Sequence, residues 1–242
     1  MHSFLTTCLS ALSNTLPGHC HLCKTSIPSI WSLCSRCFDA LPWNNNACQA
    51  CALPLSTLAS TTKIYCERCL TRPYAFRRAC APFRYEGDIA HLIHTYKFHA
   101  NLRAGHILST YLLPYLDYCD LLLPVPQHPK RAIERGFDHI RWLGQRLPCR
   151  LGRVRRIKYT PSLRGATRRQ RARYVDNAFA IETEVAHRHI VILDDVMTTA
   201  ATVNAMAKQC REAGAHDVQV LTLARTPVAA WQTLMSTTGS AR

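Results

Sequence analysis

Val191-Ile192-Leu193-Asp194-Asp195-Val196-Met197-Thr198-Thr199-Ala200-Ala201-Thr202 is the stretch on which the fold turns. It opens in residues 189–193, the most strand-like run of the chain, and passes through a Thr- and Ala-rich turn into a helical pattern over about 201–213, which Gly214 terminates. Residues 217–223 then read as another strand. Strand, helix, strand in this order implies a parallel βαβ unit and a sheet covered on both faces. Such sheets bind ligands at the carboxyl ends of their strands, where residues 194–202 fall. Two adjacent carboxylates delivered into solvent there can accept hydrogen bonds from vicinal hydroxyls. Beside them, the free N–H groups and Thr hydroxyls of the turn can hold a phosphate at the helix N-terminus. A ribose 5-phosphate carries both features. A bare Asp-Asp pair can equally just end a strand, with Thr198 as a helix cap, and the full string is much more specific.

Working outward, the texture from residue 79 onward is that of an α/β domain. Residues 79–85 read as a short strand, and 88–97 place Ile89, Leu92, Ile93 and Tyr96 at helical spacing. A second helix is expected over 102–113, an apolar strand over 121–125 ending at Pro126, and an amphipathic helix over 137–147 after a basic loop. We expect this domain to span 79–225 and residues 226–242 to form a weakly ordered tail.

The N-terminal part differs. Eight of 13 cysteines form four CxxC pairs: Cys20 and Cys23, Cys34 and Cys37, Cys48 and Cys51, Cys66 and Cys69. A CxxC turn lets two thiolates converge on one ion, and two such turns close a tetrahedral zinc site. Residues 17–73 thus read as a double zinc-ribbon module with two structural zincs. Sequential pairing, first with second and third with fourth, is favoured; an interleaved cross-brace also fits. His19 and His21 flank the first pair and are alternative ligands. So short a segment lacks the periodicity of a core, and metal binding supplies its folding free energy, on the order of 10 kcal/mol per site. A thioredoxin-like role is not expected, since no strand-helix-strand pattern surrounds any pair. Cys8, Cys80, Cys119, Cys149 and Cys210 stand alone and read as small buried apolar residues.

The length of 242 residues excludes a long multidomain machine, and 48% hydrophobic residues suffice for a core. No apolar run approaches the ~18 residues of a membrane span. Residues 4–16 lack the basic leader of a secretory signal, so a cytoplasmic location is expected. The net charge of +15 is concentrated: residues 128–173 hold 15 basic and two acidic side chains. Such a field attracts polyanions, either phosphorylated metabolites or nucleic acid, unless it is merely a solvated face.

The string 191–202 resembles the phosphoribosyl pyrophosphate motif of type I phosphoribosyltransferases. Over about residues 17–225 the chain is similar to the ComF (GntX-like) family, bacterial proteins linked to competence and the use of external DNA. The likeness extends to Phe83-Arg84-Tyr85-Glu86-Gly87, Leu92-Ile93-His94, Lys97-Phe98, Pro124-Val125-Pro126, Arg135-Gly136-Phe137, Arg171 and Ala178-Phe179. The resemblance implies a type I phosphoribosyltransferase-like parallel sheet with helices on both faces, preceded by a double zinc ribbon. It implies that Asp194 and Asp195 grip the ribose hydroxyls, while Thr198, Thr199, Ala200, Ala201 and Thr202 cradle the 5-phosphate. Lys130, Arg131 and Arg135 would balance a pyrophosphate that leaves with Mg2+, and Arg171 would arrive on closure of a hood. Dimers are common among the relatives, so a homodimer is a further expectation.

The chain departs from that pattern in three places. Ala200 stands where the motif usually has Gly, and in a turn needing positive φ its methyl group costs roughly 1 kcal/mol. Leu163 and Tyr174 replace the hood's usual Gln and Asn, and Asp138 and His139 stand in the Arg-Gly-Phe-Asn-Gln stretch. Thr198 takes the place of a carboxylate base found in some purine enzymes. Three readings therefore compete: a Mg2+-dependent phosphoribosyltransferase, a nucleic-acid-binding accessory of DNA uptake that contacts single-stranded DNA or nucleotides, and a structural adaptor.

Overall fold

The computed structural model describes residues 18–28, 32–55, 64–127, 136–157 and 178–227. Its first elements are small. A hairpin of β1 (Gly18–His19) and β2 (Ser26–Ile27) is followed by the short helices α1 (Ser35–Asp39) and α2 (Glu67–Thr71). The α/β part contributes β3 (Arg78–Cys80), β4 (Phe83–Arg84), α3 (Gly87–His99), α4 (Leu102–Thr110), a 3-10 turn at Leu113–Tyr115, and β5 (Leu121–Pro124). There follow α5 (His139–Gly144), β6 (Val154–Arg156), β7 (Phe179–Ile181), β8 (His189–Met197), α6 (Ala201–Glu212) and β9 (Asp217–Arg225).

Five strands make one parallel sheet in the order β3-β9-β8-β5, with β4 also on β9. Every residue of β9 is buried, as are the four consecutive residues Ile190 to Leu193 of β8. A strand buried at both odd and even positions has both faces covered, which is why these runs are apolar without alternation. Helix α6 packs on β8 and β9 through Val203, Met206, Ala207 and Cys210, the spacing of one helical face. On α3 the same spacing buries Ile89, Leu92, Ile93 and Tyr96. The close seat of α5 against the sheet needs a residue without a side chain: a Cβ on Gly144 would lie 2.9 Å from Leu151 and 3.4 Å from both Leu122 and Leu193.

Several boundaries differ from the sequence reading. The strand expected over 79–85 is two short strands, since only two separate segments pair with β9. The helix expected over 102–113 stops at Thr110 and tightens into the 3-10 turn, whose second residue is Pro114. Helix α5 is shorter than 137–147; it starts where the Asp138 carboxylate accepts the Arg141 N–H at 3.0 Å. Strand β8 runs on to Met197, well past Leu193, because residues 194–197 keep their register against Thr222 to Arg225. The antiparallel pair β6–β7 had no counterpart in the reading. Cys119 and Cys149, expected as isolated apolar residues, are joined as a disulfide. Cys8 and most of the expected tail, residues 228–242, lie outside the described residues.

Candidate phosphoribosyl and zinc sites

The eight CxxC cysteines converge as two quartets, Cys20, Cys23, Cys34 and Cys37, and Cys48, Cys51, Cys66 and Cys69, in sequential pairing. Within each quartet the ligand atoms all lie within 4.8 Å of one another. The two repeat one local geometry. Cys20 and Cys48 each accept, at 3.0 and 2.8 Å, an N–H from the residue four positions on. Those residues, Lys24 and Ala52, both have left-handed backbone, with φ of 64° and 53°. The sulfurs of Cys20 and Cys48 then accept the backbone N–H of Cys34 and Cys66 at 3.4 and 3.3 Å, so that the main chain of the second CxxC turn orients the first thiolate of each quartet.

This donor set fits a tetrahedral zinc ion. In the second quartet the hydrogen bond from the Cys51 thiol holds Cys48 down to about 4, and pushes Cys51 upward. Four sulfurs so close cannot all be thiolates unless a cation sits among them. His19 and His21 are not part of either cluster.

The second site lies at the carboxyl end of β8. The reading placed Asp194 and Asp195 together beyond the end of the strand, both open to solvent. Because β8 continues, they instead occupy successive positions within it and point to opposite faces. Asp195 is 5% exposed and Asp194 only partly buried. The Asp195 carboxylate is fully engaged: Oδ1 accepts the Val196 N–H at 2.7 Å, and Oδ2 accepts from His139 Nε2 at 3.0 Å and pairs with Lys97 Nζ. Burial resists its ionisation, but Lys97 and the His139 hydrogen bond outweigh that and hold it well below the usual carboxylate range. Among the described residues Asp194 has no cation within ion-pair distance, and Lys97 only partly offsets the other effects on it. Burial, then the charge on Asp195, push it up to about 8.

Asp194 lines a small cleft together with Val196, Met197, Thr198, Thr199, Ala200, Ala201, Thr202 and Val203. Ala200 adopts φ 60° and ψ 9°, so the turn does need the left-handed conformation that Gly usually supplies. It also precedes α6 as the N-cap residue, with no side-chain cap hydrogen bond. The first N–H groups of α6 therefore face the cleft with little internal competition; the nearest is a 3.4 Å bond from Ala201 N–H to Thr199 Oγ1. One partly buried carboxyl and a row of helix N-terminal donors can take a polyol with one arm and an anion with the other.

The structure thus brings together Asp194, Thr198, Thr199, Ala200, Ala201 and Thr202 and sets Asp195 behind them. The expected pyrophosphate residues Lys130, Arg131 and Arg135, the hood residue Arg171, and Leu163 and Tyr174 lie outside the described residues. The roles of Lys97 and His139 escaped the reading, although both were quoted as parts of motifs. They are 98 and 56 residues from Asp195, and no spacing links them to it. Arg225 was passed over too. It is 4% exposed, and a basic residue ending an apolar strand was its only signal.

Residues 11–70 match the double zinc ribbon domain family, and residues 135–231 match the phosphoribosyl transferase domain family. Sheet, cleft and quartets together define a phosphoribosyltransferase-type domain carrying an N-terminal double zinc ribbon. At the level of whole chains, the protein is 33% identical over 228 residues to the DNA utilization protein YhgH of Escherichia coli O6:H1, covering 88% of this chain and 99% of the relative. It is 26% identical over 226 residues to competence protein F of Haemophilus influenzae, covering 86% and 94%. The chain belongs to the family of these two proteins. Among solved structures, a hypoxanthine phosphoribosyltransferase from Staphylococcus aureus overlays at a TM-score of 0.31 and 10% identity, covering 57% of this chain and 63% of that one. No helix among the described residues is long and apolar enough to cross a membrane.

Proposed function

We propose that the protein binds phosphoribosyl pyrophosphate together with Mg2+ at the carboxyl end of β8 and transfers its phosphoribosyl group during the handling of DNA. The observation that carries this reading is the meeting of Asp194 and the uncapped start of α6 in one cleft. In it, Asp194 accepts the ribose hydroxyls, and the amides of Ala201 and Thr202 with the hydroxyls of Thr198 and Thr199 take the 5-phosphate. Asp195, held ionised by Lys97 and His139, is a fixed negative charge beside a sugar that becomes cationic at its anomeric carbon. An acceptor forms its bond to that carbon as the bond to pyrophosphate breaks. Lys130, Arg131 and Arg135 offset the charge of the departing group, and Arg171 closes over it. Mg2+, entering with the substrate, supplies further neutralisation of the pyrophosphate.

We place the protein in the cytoplasm, as a homodimer, close to the machinery of DNA uptake. Reducing surroundings keep the quartets as thiolates, and would also open the Cys119–Cys149 bond. The family's named DNA utilization and competence proteins support the setting. A second reading rests on the charge of residues 128–173: a nucleic-acid accessory in which this stretch, including Arg153, Arg155 and Arg156, holds single-stranded DNA by its phosphates.

Calorimetric titration of phosphoribosyl pyrophosphate with Mg2+ into zinc-loaded protein tests the first reading. Saturable binding that Asp194→Ala abolishes is the expected result. Absence of binding at millimolar ligand would overturn the enzyme and leave the nucleic-acid reading.

A further inference from the structure

Arg225 ends β9 directly across from Met197 in β8, and it is buried without a carboxylate partner in hydrogen-bonding range among the described residues. Its partners are main-chain carbonyls from two parts of the molecule. Nε donates to the carbonyl of Cys51 at 3.2 Å, within the second cysteine quartet. Nη1 donates to the carbonyl of Met197 at 2.7 Å and to that of Thr198, the first residues of the phosphate turn, with a weaker contact to Thr226 at 3.4 Å. One planar guanidinium therefore holds the zinc knuckle and the phosphate turn in a fixed relation.

Charge makes the arrangement mutual. A zinc ion with four thiolates carries a net charge of −2, and a buried guanidinium alongside is well placed to offset it. Without the metal, the knuckle loses the ion that fixes Cys51, and the Cys51 carbonyl loses its fixed position under Arg225. Without Arg225, the carbonyls of Cys51, Met197 and Thr198 lose a buried donor. The first quartet has no such link to Arg225: of the eight ligand residues only Cys51 accepts a hydrogen bond from it, and the other cysteine that bears on its charge, Cys66, is also of the second quartet.

We infer that Arg225 is a positioning residue through which the second zinc site, and not the first, sets the conformation of the phosphate turn. This rests on reading residues 198–202 as a phosphate cradle, but the coupling itself exists in the ligand-free protein and is tested there. The main chain of residues 197–201 is the reporter on one side, and zinc release from the second quartet is the reporter on the other. Linkage requires that they move together.

The experiment uses the full zinc-loaded chain and its Arg225→Met variant. Amide hydrogen exchange is followed over residues 197–203, with β5 as internal control, while a colorimetric chelator follows zinc release. Cys34→Ser, lacking the first site, identifies the release phase of the second. The expected result is exchange about tenfold faster in the turn and zinc release about tenfold faster from the second quartet. The first quartet and β5 should be unchanged. Unaltered exchange in the turn, or equal acceleration of both zinc phases, would overturn the inference. If Arg225→Met does not fold, Arg225→Lys, which keeps the charge and loses the fork, is judged by the same two readouts. Since no ligand is present, a negative calorimetric titration would refute phosphoribosyl binding and leave this result standing.

Discussion

Replacing Asp194 by Asn is expected to stabilise the ligand-free protein near neutral pH while destroying its affinity for phosphoribosyl pyrophosphate. Burial, then the neighbouring charge on Asp195, raise the Asp194 carboxyl from 3.8 to about 8. Below pH ~4 it is protonated in both folded and unfolded chains and contributes no difference. As the pH rises from there, the unfolded chain releases a proton that the folded chain retains, so stability falls through the window and the loss is complete above about 8. Asn stays neutral throughout, and its Oδ1 can still accept the Asp195 N–H now bound at 2.9 Å. The ceiling is set by about four pH units at ~1.4 kcal/mol each, hence ~6 kcal/mol. Water at this partly exposed carboxyl screens much of that, and we expect ~2 kcal/mol in favour of Asn at pH ~8.

Urea unfolding of zinc-loaded wild type and Asp194→Asn, over a range from about pH 6.5 to about 9 where the thiolates keep their metal, provides the measurement. The advantage of the variant should grow with pH and level off near 8. A variant less stable than wild type at the top of the range, or an advantage independent of pH, would refute the account of this carboxyl as an ionisation the fold resists until a ligand compensates it.

Ala200→Gly relieves ~1 kcal/mol of left-handed strain against ~0.5 kcal/mol of added chain entropy, so urea unfolding should show a gain of ~0.5 kcal/mol with no loss of ligand affinity; a clear destabilisation would contradict the positive φ. Lys97→Met leaves the buried Asp195 carboxylate short of its cation and should cost ~2 kcal/mol, while a double-mutant cycle with Asp195→Asn should return a coupling of ~2 kcal/mol; additivity would show that the pair is not coupled. Arg155→Glu should weaken binding of single-stranded DNA and lower its salt slope by about 1, whereas Asp194→Ala should leave that slope alone; equal effects of both would mean that the DNA and phosphoribosyl surfaces overlap.

The parts of this protein legible in its sequence are those fixed by short spacing. The CxxC interval brings two sulfurs onto one ion, whereas the choice between sequential and interleaved pairing was open in the sequence and is made sequential by the fold. The βαβ unit around residues 189–225 was equally open to reading, because a doubly covered strand must be continuously apolar. The end of β8 was not. Asp194 and Asp195 look like the edge of a strand when only hydropathy is read, and what carries the strand onward is its register against Thr222, Ala224 and Arg225. Nor could spacing reveal that Asp195 is paired from α3 with Lys97 and hydrogen-bonded from the start of α5 by His139. Long-range pairings of single polar residues leave no period in the chain.

The same reasoning bears on where one module ends and the other begins. Composition changes near residue 73, and the sequence invites a cut there, yet the packing crosses it repeatedly. Trp43 lies between Phe38 and Phe83, with ring centroids 5.0 and 4.7 Å away, and Tyr111 of the α/β part joins them at 6.1 Å from Trp43. Asn44 donates to the carbonyls of Ala52 and Ala81 at 2.8 and 3.2 Å, and the Ala50 carbonyl accepts the N–H of Ala79 in β3 at 2.9 Å. The second knuckle thereby covers the outer side of β3, a strand that would otherwise present an open sheet edge. A segment too poor in apolar residues to fold by itself is thus tied to the sheet by an aromatic cluster, and the sheet receives in return a partner for its edge strand and, through Arg225, for its phosphate turn. Loss of metal from the second quartet should accordingly be felt in the sheet and, through Arg225, in the phosphate turn, while loss from the first should be felt through Phe38 at the aromatic cluster and not at the turn.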